Sequence, residues 1–387
     1  MSNSSLSTTF DQSSFIAAIF YSILATAGLF YVNLGGAFLS AFVDGLGVER
    51  DTAGFIVSAN KYGAAFGALI ATFIVKNVEW RKAVRLLFIG LIVFDLISTQ
   101  ITSPNILILV RFIHGTIGGL SVGIGLSIIA RTYNPDKIFG MLLAVQYSFG
   151  SIGILAVPRL VDAYGQGALF ATLICFTLMT LIILPFIPDV DSNNETSTTK
   201  SNFYQIPLSG LLVLSLCCLF LFQAANMGVA DYAFELGKDI GLDKNEISNL
   251  LTIANFISIL GGVLVYIIGI KFGRTIPLCF GICTAAVFTY LLHYSDNVNN
   301  YFIANTMTGI AWGFTIPYLL GLCATFDKFG QMAALAGFIS KLGLASGPLI
   351  GALFIMTQGF SFIINLATIA LIIALLFGAY VGMKKEN

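Results

Sequence analysis

The sequence predicts an all-α membrane protein with twelve transmembrane helices in two pseudo-symmetric six-helix bundles. Three observations carry that reading: an apolar composition, the spacing of the polar breaks, and an internal repeat. The chain has 387 residues, 57% of them hydrophobic and 10% charged, with a mean hydropathy of +0.91. A soluble domain draws about a quarter of its residues from the charged types, so most of this chain must face lipid. The 39 glycines suit membrane helices, whose backbones approach closely at small residues. Lys+Arg and Asp+Glu are balanced at 19 each with no basic stripe, which argues against nucleic-acid binding. The six cysteines all lie in apolar runs without metal-ligand spacing. They read as packing residues, and no metal or cofactor is expected. Met1 to Ser14 holds no Lys or Arg and lacks the basic start of a cleaved signal.

A span needs roughly 20 apolar residues to cross about 30 Å of hydrocarbon. Reading polar breaks as loops gives twelve, near 15–42, 52–75, 83–101, 105–130, 138–158, 167–187, 206–234, 246–270, 275–293, 299–325, 331–357 and 360–382. The longest connection runs from Pro188 to Gln205, polar and close to the midpoint. The expected organisation is therefore a tail 1–14, a first bundle 15–187, a linker 188–205, a second bundle 206–382 and a tail 383–387. With the N-terminus inside, the inner loops and tail hold Lys76, Arg81, Lys82, Arg85, Arg131, Lys137, Lys200, Lys271, Arg274, Lys328, Lys384 and Lys385. The outer loops hold Arg50, Arg159, Lys238 and Lys244. The positive-inside rule then puts both termini and the linker in the cytoplasm, with a bacterial inner membrane as the expected location.

A shift of 193 to 195 positions aligns the halves. Asn33-Leu-Gly35 meets Asn226-Met-Gly228, Ala59-Asn60 meets Ala254-Asn255, and Gly67 meets Gly262. His114-Gly115 and Gly118-Gly119 meet Thr308-Gly309 and Trp312-Gly313, and Phe139-Gly140 meets Phe329-Gly330 at 190. Two parallel six-helix halves are a transporter architecture. In its motifs too the chain resembles the major facilitator superfamily, over nearly its whole length. Arg111-Phe-Ile-His114-Gly115-Thr-Ile-Gly118-Gly119 is similar to the family's R-x-x-x-G-x-x-G pattern in helix four. Lys271, Gly273 and Arg274 resemble the end of its cytoplasmic loop motif, with Ile270 at the acidic position; Asn77 to Lys82, with Arg81 and Lys82, is the first-half equivalent. The family's Gly-Pro step in helix five is absent there, where Val157-Pro158 stands, and has its better match in Gly347-Pro348. Helix bending and close packing account for both stretches equally well.

An ionisable group near the bilayer centre costs roughly 3 kcal/mol even on the lenient insertion scale, and the predicted spans contain several. Lys61 and Lys341 fall near the midplane of helices two and eleven. At the shifts above, Lys61 aligns with Phe256 and Lys341 with Ser151, so neither has a charged counterpart. The resemblance puts these two helices face to face across a central cavity, where two ammonium groups call for an anion between them. Neutralisation by Asp231 or Glu235, and a structural or lipid-headgroup role, stay open. Arg111 either pairs with Asp95 of helix three or contacts substrate. Asp231 and Glu235, spaced i, i+4, share a helix face; they read as a rim or gate beside Lys238, or Asp231 competes with Asp95 for proton coupling. His114 can titrate near neutrality or serve in packing. Asn33, Asn226, Gln146, Tyr147, Asn305 and Trp312 add polar or aromatic groups to the cavity helices, with Asn33 and Asn226 alternatively capping kinks beside Gly35 and Gly228.

The expectation is a non-enzymatic secondary transporter working by alternating access. It acts as a monomer in the bilayer and moves a small organic anion held by Lys61, Lys341 and Arg111, with protons as an optional partner. Proton-driven drug efflux is the alternative within transport, and a non-transporting receptor or scaffold is the alternative outside it. No hydrolase or metalloprotease motif appears.

Overall fold

In the computed structural model, residues 10–12, 14–28, 30–75, 78–132, 135–189, 209–326 and 331–386 are described. Most of the tail 1–14 and of the linker 188–205 lies outside them, with Lys76, Asn77, Lys200, Lys328, Phe329, Gly330 and the side chain of Lys137. The helices are α1 Phe15–Ala27, α2 Phe30–Asn33, α3 Gly35–Leu46, α4 Arg50–Ile74, α5 Trp80–Ser98, α6 Pro104–Ala130 and α7 Pro135–Tyr164. They continue as α8 Gly167–Ile183, α9 Gly210–Ala230, α10 Ala233–Asp239, α11 Lys244–Ile268, α12 Thr275–Leu291, α13 Val298–Ala324 and α14 Gln331–Glu386.

Local chemistry sets the starts. Ser14, Ser209 and Asp243 accept from the backbone N–H of Ala17, Leu212 and Asn245, capping α1, α9 and α11. Pro104 occupies the first turn of α6, where its missing N–H costs nothing. Among the described residues eight helices are long and apolar enough to cross a membrane. The fourteen labels resolve into twelve crossings. One is α1–α3, interrupted at Gly28 and at Leu34, and α9–α10 is another, broken at Asp231–Tyr232. Within α14, Gly359 takes φ 69° and ψ −174°, and the chain turns back. Phe360 packs on Tyr232 just after that turn, whereas Ala374 accepts from the Cys218 thiol near the other end of the bundle. The helices α4 and α5 are less apolar because they carry Asn60 and Lys61, and Arg81, Lys82, Arg85 and Asp95.

The internal repeat keeps a single register over much of the fold. The starts of α4 and α11 (50 and 244) and of α6 and α13 (104 and 298) differ by 194, as do their ends. The left-handed glycines Gly47 and Gly241, and Gly165 and Gly359, are also 194 apart. A Cβ on Gly67 would overlap the Thr116 carbonyl, and one on Gly261 would overlap the Ile310 carbonyl. Ser58 Oγ donates to Ala345 O at 2.7 Å, and its mate Thr252 Oγ1 to Ser151 O at 3.4 Å. This register corrects the alignments made at other shifts. The mate of Gly67 is Gly261, that of Lys61 is Asn255, and that of Lys341 is Tyr147. Matching identical letters such as Asn60 and Asn255 slips by one residue, and matching Phe-Gly pairs by four, whereas packing repeats the contacts themselves.

Within the first half, α4 and α6 lie in backbone contact. Gly63 and Gly67 meet the carbonyls of Phe112 and Thr116, and Gly115 and Gly119 meet those of Asn60 and Ala64. This is a small-xxx-small interface on both partners, so α4 and α6 behave as one packed unit that fixes the depth of Asn60, Lys61 and Arg111.

Candidate functional site

Arg111 is wholly enclosed in the first half. Its Nη1 donates to Asp95 Oδ1 at 2.7 Å and lies 3.4 Å from Ser98 Oγ. Its Nη2 is 2.9 Å from His114 Nδ1, and its guanidinium stacks over the rings of Tyr31 and Phe170 at 4.7 and 5.5 Å. The Asn60 amide donates to Arg111 O at 3.0 Å and reaches His114 Nδ1 at 2.9 Å. A guanidinium has no acceptor, so His114 Nδ1 accepts and the ring proton sits on Nε2, 3.2 Å from Asp95 Oδ1. His114 is thus a neutral, hydrogen-bonded member of a closed network. Arg111 meets Asp95, one of its two expected roles.

Lys61 forms an ion pair with Asp231, both almost completely buried, and the pair joins the two halves. Asp231 caps α9 at the break before α10. Gly35 lies against the pair, where a Cβ would overlap the Asp231 carboxylate, so its backbone closes one side of the ammonium and carboxylate. Tyr31 stands between this pair and the Arg111 network, its buried hydroxyl unpaired. Glu235 lies beyond the helix break and points elsewhere, to Arg50 and Lys238.

Lys341 is half-buried on the first arm of α14. Among the described residues no carboxylate pairs with it and no hydrogen-bond acceptor meets it. Its neighbour Ser340 accepts from Gln223 Nε2 at 2.6 Å, and Gln223 Oε1 accepts from Trp312 Nε1 at 2.7 Å. Tyr147 meets Trp312 edge-on with ring centroids 6.2 Å apart, and its hydroxyl is 3.5 Å from Gly309 O. Asn255, the mate of Lys61, also crosses between halves, donating to Ser151 Oγ at 2.9 Å and Tyr147 O at 3.2 Å. Asn226 and Asn305 bond back to Phe222 O and Tyr301 O, one turn earlier. Asn33 Nδ2 is buried and unpaired, and Gln146 is half-buried on α7.

One end of the bundle is fastened by charge. Arg50 pairs with Glu235 and Asp239, Lys238 with Asp44 at 2.7 Å, and Lys244 with Asp162 at 2.6 Å and Asp44 at 3.2 Å. Arg159 adds Ser248 Oγ at 3.1 Å and Asn249 Oδ1 at 2.8 Å. Arg50 and Lys244 are repeat mates, each reaching carboxylates of the opposite half. Apart from Lys61–Asp231, every ion pair between halves among the described residues lies at this end. At the other end, Arg81 binds Asp189 Oδ1 at 2.8 Å and the carbonyls of Leu184 and Ile187, tying α5 to the last turn after α8. Lys82 pairs with Glu79 at 2.7 Å. Lys271 and Gly273 form a tight turn with Gly273 at φ 71°, and Arg274 precedes α12 beside Gly321.

Sequence reasoning passed over Gln223, Tyr31 and Ser340. Gln223 carried a signal, being the lone amide deep in the apolar run before Asn226. Tyr31 carried none, since an aromatic in a span is ordinarily packing.

Twelve crossings in two halves that repeat in one register, with polar side chains on the seams between them, constitute the major facilitator fold of an integral, multi-pass membrane protein. The chain is similar in structure to the nucleoside transporter NupG, solved as a point mutant, with TM-score 0.71, 12% identity and coverage of 96% of this chain and 99% of that one. It is also similar to a D-xylose-proton symporter, with TM-score 0.68, 16% identity and 95% of each chain covered. No protein-family model and no curated protein matches the sequence.

Proposed function

We propose that the chain is a secondary transporter working by alternating access, with a small organic anion as its cargo. Transport is supported by the fold and by the uneven seam: ion pairs fasten one end, and among the described residues none joins the halves at the other. By the positive-inside count the Arg50 end is the outer one, and both termini, with the linker 188–205, are cytoplasmic. The arrangement is then closed to the outside. The single observation that carries the anion reading is Lys341, an ammonium without an acceptor inside a low-dielectric bundle. Such a group is stabilised by an incoming carboxylate or similar anion. Of the two carboxylates considered for proton coupling, Asp231 is favoured by its place on the seam; Asp95 is sealed inside one half.

The amide and aromatic chain Gln223–Trp312–Tyr147 favours a second reading, a neutral polyhydroxylated or nucleoside-like cargo. Both similar solved structures are named for cargo of that kind. Counterflow in proteoliposomes separates the two. On the anion reading Lys341→Gln lowers anion exchange by about tenfold or more, the equivalent of about 1.4 kcal/mol. Anion exchange that survives Lys341→Gln, or sugar exchange that proceeds without any anion exchange, rejects it.

A further inference from the structure

Among the described residues only one of the charges buried between the ends of the spans is uncancelled, and we infer that the cargo site is built for an anion carrying a single negative charge. It selects monocarboxylate-like ions against dicarboxylates. This rests on the anion reading above and adds a valence to it.

Among the described residues six acidic or basic side chains are buried or half-buried between the charged end and the loops: Lys61, Asp95, Arg111, His114, Asp231 and Lys341. Arg111 and Asp95 cancel at 2.7 Å. His114 is neutral by its contacts, since Nδ1 faces two donors. Lys61 and Asp231 cancel across the seam. Lys341 remains, so the interior carries one net positive charge. Charge in a poorly solvated interior is costly, and one matching counter-charge relieves it; a second negative charge would be left unmatched. A dianion would gain a second cation only by displacing Asp231 from Lys61. The Gly35 backbone, whose added Cβ would overlap that carboxylate, blocks one side of the pair against such an exchange. Displacement would also strand Asp231 as a buried carboxylate without a partner.

The test alters the count without touching Lys341. Butyrate and benzoate serve as monoanion probes, succinate and phthalate as dianions, in ligand-dependent thermal shift and in counterflow by the full-length protein in lipid. Wild type is expected to prefer the monoanions by about tenfold or more in half-saturating concentration, about 1.4 kcal/mol. Asp231→Asn frees Lys61, raises the count to two, and moves the preference to the dianions. Lys61→Gln/Asp231→Asn removes the pair as a neutral unit, and its valence preference returns to the monoanions; this variant decides the matter should Asp231→Asn fail to fold. A wild-type preference for dianions, an unmoved ratio in Asp231→Asn, or a dianion preference in the double variant overturns the inference while leaving the anion reading intact. Absence of any response to anions of either valence instead removes the anion reading and the valence with it.

Discussion

The two halves share one register and differ in what holds their centres together. In the first, Arg111, Asp95, His114 and Asn60 form one enclosed charged network. The corresponding positions in the second are Asn305, Thr289, Thr308 and Ala254. Asn305 and Thr308 bond to carbonyls of their own helix, each at 2.8 Å. One pair of matched helix contacts differs in the same direction: Gly115 abuts the Asn60 carbonyl, whereas Gly309 abuts the Ser258 hydroxyl. One half is bound by charge and backbone against backbone. The other keeps a backbone contact at Gly261 but meets the Ser258 hydroxyl at Gly309, is tied by the neutral Gln223 amide to Ser340 and Trp312, and carries Lys341 uncancelled. A buried network fixes positions because losing one member leaves the others unpaired, so the first half is the rigid frame, and on the proposed function Lys341 of the second is the group available to cargo.

The largest expected effect follows from that contrast. Arg111→Leu leaves Asp95 as an unpaired buried carboxylate and is expected to cost about 3–5 kcal/mol. Asn305→Ala at the equivalent place costs about 1 kcal/mol or less. Unfolding of both variants in detergent reads the difference, and equal losses would break the comparison. Next in size, Gly115→Ala forces α4 and α6 apart and is expected to cost about 1–3 kcal/mol. Gly309→Ala meets a hydroxyl that can rotate away and costs less than its mate; the reverse order would place the tighter interface in the second half. The smallest effect concerns the fastened end. Arg50 and Lys244 are partly exposed, and exposed ion pairs contribute about 1 kcal/mol or less each. Arg50→Gln/Lys244→Gln is therefore expected to leave unfolding nearly unchanged. Spin labels at Glu49 and Asn245, both exposed at that end, should nonetheless show longer and broader distances in that variant. An unaltered distribution would mean that packing, not charge, keeps this end shut.

The twelve crossings and the doubled plan were legible because hydropathy and repetition need no knowledge of contacts. Arg111 with Asp95 was legible as one of two roles, since adjacent helices joined by a short loop bring a lone cation and a lone anion together. The partner of Lys61 was one of several options in the sequence, because Asp231 lies far along the chain in the other half and only the packing of the halves selects it. The same limit hid the mates of Lys61 and Lys341: letters repeat imperfectly, and a slip of one residue turns a helix position by about 100°. Helix α10 shows the limit at short range. An i, i+4 spacing would put Asp231 and Glu235 on one face, but the break at Asp231–Tyr232 sends one carboxylate inward to Lys61 and the other to Arg50.

Lys61 is the twelfth of the 25 residues of α4, and at 1.5 Å per residue it stands about 16 Å from Arg50 and about 20 Å from Ile74. On the alternating-access reading proposed above, this helix, welded to α6 through Gly63, Gly67, Gly115 and Gly119, serves as a stiff lever pivoting near its midpoint, where its ammonium meets the opposite half. With arms so nearly equal, a tilt that parts the Arg50 end by a given distance draws in the far end by about as much, and the fulcrum itself hardly moves. Lys61 and Asp231 can therefore stay in touch while the mouths on either side exchange places.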